Sequence, residues 1–150
     1  MMITDRTRND VDNAIAIREK IKNGESITES EILIFERGFI TINTLNRIES
    51  KQAEIAQILS ENGYITDIIT KVWDYTGVFD LIEHNRLIDN LEKLKKSFFV
   101  FKTTPDVPIY MYGYQEMNDI EQVLVDIETL VNNMTSSYVY SSSDVYLGGI

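Results

Sequence analysis

Cysteine is absent from the chain, which excludes disulfides, zinc–thiolate centres and thiol nucleophiles and leaves the redox compartment unread. Histidine occurs once, at His84, so a multi-histidine metal site is excluded and imidazole acid–base chemistry has one candidate. No apolar run reaches the length of a membrane span, and the polar start "MMITDRTRNDVDNA" has no apolar core of a secretory signal. The expectation is a protein made in the cytoplasm and not inserted in a bilayer. Basic residues stop at Lys102, while Asp106, Glu116, Asp119, Glu121, Asp126, Glu128 and Asp144 follow it, so the C-terminal third would repel phosphates and nucleic acid is not an expected partner. There is no Walker loop, dinucleotide fingerprint, nucleophile elbow or histidine pair. No catalytic residue, metal ligand or cofactor is assigned.

What is present is helical punctuation. A length of 150 residues suits one domain with a self-sufficient core. Thr7 with Asp10, and Thr28 with Glu31, have capping-box spacing, and Asn23-Gly24 and Gly38 are stops, which predicts two N-terminal helices. Ile32, Leu33 and Phe35 are the expected buried residues of the second. "GFITIN" reads as extended, with Asn43 expected to cap a third helix that ends at Gly63. Ile65, Ile68, Ile69, Val72 and Trp73 have helical spacing and predict a short helix within 65–79, although the β-branched composition pulls the other way. A fourth helix is expected over Leu81 to Ser97 and a fifth over Gln115 to Met134, separated by a stretch that Pro105 and Pro108 keep from helix. The end, "TSSYVYSSSDVYLGGI", reads as extended. The expected architecture is all-α: a bundle over residues 1–134, built from three similar amphipathic helices plus the N-terminal ones, and an extended Ser/Tyr-rich interaction segment over 135–150.

The similarity of the three helices rests on a repeat: "LNRIES", "HNRLID" and "MNDIEQ". Counted from Asn46, Asn85 and Asn118, positions +2, +6, +9 and +13 hold Ile48, Gln52, Ile55 and Leu59, then Leu87, Leu91, Leu94 and Phe98, then Ile120, Leu124, Ile127 and Val131. All but Gln52 are apolar, and Leu45, His84 and Met117 extend the seam at −1. The asparagines are read as helix-start groups bonding backbone, with Glu49, Asp89 and Glu121 favoured by the helix dipole. The rival reading gathers them into one composite polar site; it requires equivalent helix ends to converge, which short antiparallel connections would prevent. His84, beside Glu83, is read as a packed or edge histidine.

Two aromatic groups are the candidate binding residues. Tyr110, Tyr112, Tyr114, Tyr138, Tyr140 and Tyr146 flank the fifth helix and suit a protein interface, since tyrosine pairs contact area with a polar tip. Trp73, Tyr75 and Phe79 are the alternative: a stacking platform for glycans, weighed against an ordinary hydrophobic clamp. An acidic decoy for a nucleic-acid-binding protein is a third function class compatible with the charge.

In order and spacing, "ERGFITINTLNRIESKQAEI", "VWDYTGVFDLIEHNRLIDNLEKLKKSFF" and "TPDVPIYMYGYQEMNDIEQVLVDI" resemble small tail-module proteins of phages and prophages of low-GC Gram-positive bacteria. The pattern there is "T-x-LNRIE", a tryptophan-led linker before "NRILDNL", and "TP-x-VP" before "YQ-x-xNDIE". The likeness runs from about Ser26 to Met134. It implies a structural protein of a virion tail or tail-like bacteriocin particle, near the baseplate or receptor-binding tail fibres. Its expected partners are other tail, baseplate or fibre proteins, with no enzymatic activity. Asn46, Arg47, Glu49, Asn85, Arg86, Asn118 and Asp119 match the pattern as architectural positions. A cysteine frequent near the family's Gly-rich end is missing from "DVYLGGI".

Overall fold

The computed structural model describes residues 1–111 and 113–148, with side chains followed as far as Ser137. Among them the chain is all-α: α1 (Arg8–Lys22), α2 (Glu29–Gly38), α3 (Ile42–Glu61), α4 (Leu81–Ser97) and α5 (Tyr114–Gly148). The Thr7–Asp10 and Thr28–Glu31 boxes both close, so α1 and α2 start where the sequence places them. The cap of α3 is Thr41, boxed with Thr44, and not Asn43, which sits in the first turn and donates to Glu36. Thr41 wins because its hydroxyl meets the free N–H of Thr44 from the extended residue just outside the helix. Gly63, at φ 89°, provides the left-handed residue that ends α3.

All twelve seam positions are apolar core or its edge except Gln52, which is equally buried. Its side-chain amide donates to Leu87 O at 3.0 Å and its oxygen accepts from Asn90 at 3.4 Å, so the polar exception is satisfied across α3 and α4. These contacts also fix direction. Along α3, Glu49 and Gln52 meet Arg86 and Asn90 of α4, and Arg47 and Lys51 meet Glu121 and Glu128 of α5, so residue numbers rise together on all three helices. The three are parallel. Parallel neighbours need connections that travel the bundle's full length, and residues 62–80 and 98–111 do so as non-helical crossovers.

Four expectations are corrected. The predicted helix within 65–79 does not form; its aliphatic residues line a crossover clamped to α3 and α4 by side chains. Ile32, Leu33 and Phe35 are not buried, because α2 packs chiefly on α1 through Gly38 rather than entering the core. A Cβ on Gly38 would lie 2.3 Å from Ala14 Cβ and 2.5 Å from Asp10 O, so the close approach of α1 and α2 requires glycine there. The stretch after Met134 is not extended but continues α5 to Gly148, no Pro or Gly intervening after Gly113 to stop it. The equivalent ends of the repeated helices do converge, because long crossovers replace the short connections assumed.

Candidate interaction site

Three grooves run between three parallel helices, and an extended segment lies in each. In the groove of α3 and α4, Asn46 holds Trp73 by both backbone groups: Trp73 N–H donates to Oδ1 at 2.7 Å and Nδ2 donates to Trp73 O at 3.0 Å. Asn118 of α5 does the same to Arg6 in the groove facing α3, both bonds being 2.9 Å. Three residues further along each helix stands a buried carboxylate. Glu49 accepts from Lys71 N–H, Trp73 Nε1 and Arg86; Glu121 accepts from Ile3 N–H, Arg6 and Arg47. Such fully engaged acids are tolerable inside a fold because each meets a guanidinium and backbone donors.

The two locks are cyclic: the acid at +3 of α3 pairs with the arginine at +1 of α4, and the acid at +3 of α5 with the arginine at +1 of α3. The third groove, between α4 and α5, breaks the rule on both sides. Ile88 occupies the acid's place and Asp119 the arginine's. Residues 98–111 are held there by Lys95 on Pro105 O at 3.1 Å, by Thr104 on Asp126 at 2.6 Å, and by apolar packing of Val100 and Val107. Burial, and then the neighbouring Glu116, push the Asp119 carboxyl above its ordinary value.

Asn46, Asn118 and the two buried acids are thus engaged in architecture, while Asn85 is exposed, its Oδ1 3.4 Å from His84 Nδ1, and holds no crossover backbone among the described residues. His84 is buried, stacked against Tyr110 with ring centroids 6.4 Å apart and set edge-on to Phe79; its Nε2 has no hydrogen-bond partner among the described residues. Glu83 is bonded to Lys71 and Arg86, which, with burial opposing, hold its carboxyl below the usual range.

The two aromatic groups fare differently. Trp73 is only 4% exposed, with its ring between Phe79 and the Lys71 ammonium 3.8 Å from the ring centroid. Tyr75 is fully open and Phe79 half-buried, so Trp73, Tyr75 and Phe79 do not share one exposed stacking face. Tyr110 is half exposed on the second crossover, and Tyr114 opens α5 beside a cleft of about 550 Å³ between the α1–α2 hairpin and the bundle, walled also by Phe35, Phe39 and Met111. Tyr112 lies outside the described residues, as do the side chains of Tyr138, Tyr140 and Tyr146, whose backbone belongs to α5.

A feature the sequence reading missed is a run of exposed aliphatic residues on and after the first crossover: Ile65, Ile69, Val72, Val78, Leu81 and Ile82. Their i, i+3, i+4 spacing suggested a packed helix and so concealed their exposure; the β-branched composition was the available signal. An open apolar patch of this kind marks a contact surface more often than chance. Among the described residues no helix is long and apolar enough to cross a membrane, and no group of three or more acids or histidines could hold a metal ion. The chain matches no protein-family model, and neither curated proteins nor solved structures give a significant match.

Proposed function

We propose that the chain is a non-enzymatic structural or adaptor component of a phage tail or tail-like particle, near the baseplate or receptor-binding fibres. The observation that carries the non-enzymatic part is the employment of its polar residues. Asn46, Asn118, Glu49, Glu121, Arg47 and Arg86, the groups best suited to bind or activate a substrate, are occupied in fastening backbone and one another. What faces outward is aliphatic and aromatic surface on crossovers, which suits docking on other tail, baseplate or fibre proteins. The placement in a tail rests on the order of the "LNRIE", "HNRLIDNL" and "TPDVP…YQEMNDIE" motifs.

The experiment is incorporation of a truncated chain. Among the residues whose side chains are described, Met134 is the last of α5 packed against the core, and deleting Ser136 to Ile150 removes the end of that helix. The melting temperature is expected to stay nearly unchanged while co-purification with neighbouring tail proteins is lost. Retention of the truncated chain in assembled particles would assign docking to the bundle, and failure of the intact chain to copurify with any tail protein would refute the placement.

A further inference from the structure

The first crossover is bonded to the helices at only every second residue. Its hydrogen bonds alternate. Ile69 gives its N–H to Asn90 at 3.2 Å and receives the Asn90 amide at 2.7 Å; Lys71 gives its N–H to Glu49 at 3.3 Å; Trp73 is held at both groups by Asn46. Bonding of every second residue is the signature of extended chain, in which alternate residues turn their N–H and C=O to opposite sides. The backbone groups of Ile68, Thr70 and Val72 have no partner among the described residues. In an extended chain they turn to the side opposite the groups that hold the crossover, and an unpaired edge flanked by exposed aliphatic side chains is a template for another strand. Ile65, Ile69 and Val72 are 84%, 69% and 89% exposed and provide that flank.

We propose that this edge is a homodimer interface in which the crossovers of two copies pair antiparallel about a twofold axis at Ile69. The charges select the register. Only even-numbered residues turn backbone groups outward, so even must face even. With Ile69 opposite Ile69 of the second copy, Ile68 bonds Thr70 and Thr66 bonds Val72, each pair occurring twice. Asp67 then stands directly opposite Lys71 in a non-hydrogen-bonded pair, where side chains are closest. Moving the register by two residues either way sets both charges against apolar side chains. Asp67 is exposed and has no ion pair among the described residues, while the Lys71 ammonium, 2.9 Å from Glu83, lies on the same crossover and joins the pair. A self-complementary patch of this kind closes after two copies and does not propagate.

Sedimentation velocity over a micromolar to millimolar series tests the interface, with circular dichroism as the check on folding. The intact chain is expected to dimerise with rising concentration. Asp67→Lys and Lys71→Asp place like charges opposite each other and should each weaken the dimer on the order of tenfold or more. An equimolar mixture of the two should recover dimerisation, because the mixed pair restores opposite charges at both contacts. Thr70→Pro removes an outward N–H that the monomer leaves unbonded, and should abolish the dimer with the helical signal intact. A chain that stays monomeric into the millimolar range overturns the proposal. So does a dimer indifferent to Thr70→Pro, or a mixture of folded single variants that fails to pair. If Lys71→Asp does not fold, Asp67→Lys and Thr70→Pro decide by the same readout.

Discussion

Asparagine at the start of a helix ordinarily satisfies that helix's own orphan N–H groups, and the sequence suggests nothing further for Asn46 or Asn118. The structure gives both a distant task, gripping the backbone of Trp73 and Arg6 at separations of 27 and 112 residues. Position and polarity were legible; the partner was not, because a crossover's path is invisible to local pattern. The consequence for energy is direct. Losing a cap costs about 1 kcal/mol. Asn46→Ala instead breaks two bonds and strands the N–H and C=O of Trp73 in a buried setting, for which about 2–4 kcal/mol is expected. Urea unfolding measures it, and fluorescence of the single tryptophan should shift to the red in the native variant as its backbone tether is lost. A loss near 1 kcal/mol with an unchanged spectrum would mean that the clamp adds little beyond capping.

At the scale of elements, the boundaries of α1 and α2 followed from caps and stops, α4 spans the range expected for it, and the twelve-position seam predicted the core, since heptad-like spacing leaves few other ways to bury those residues. The first crossover differs from expectation because its aliphatic spacing imitates a helix, and α5 runs past the expected end at Met134 because a Ser-, Tyr- and Gly-rich stretch reads as extended. The cyclic lock supplies a test of whether the repeat is structural grammar. Installing the missing pair with Ile88→Glu and Asp119→Arg should give a favourable coupling energy of about 0.5–3 kcal/mol in a double-mutant cycle. Ile88→Glu alone should destabilise, as it places a charge at a half-buried aliphatic site. Asp119→Arg alone should be mild, because burial and Glu116 already disfavour the Asp119 carboxylate. Zero coupling would show that the third groove does not repeat the geometry of the other two.

At the scale of the whole molecule, the core is continuous through all three repeated helices, so damage at one seam position should not stay local. Leu91 is fully buried, and Leu91→Asp would leave an unpaired charge inside. The expected cost of about 3–5 kcal/mol approaches the total stability of a domain this size, and loss of the cooperative melt is the outcome to look for. A folded variant with dispersed amide signals would show that the seam yields to solvent. The parallel arrangement also bears on how the chain reaches this state. In an up-and-down bundle, neighbours meet across a few residues of turn; here Asn46 and Asn85 lie 39 residues apart and Asn85 and Asn118 lie 33 apart, so each helix contact closes a large loop before any apolar gain repays it. Only the α1–α2 hairpin is local. Relative to an antiparallel bundle of equal length, the search is longer, and the half-assembled chain meanwhile shows α3's bare stripe to other molecules still emerging from the ribosome.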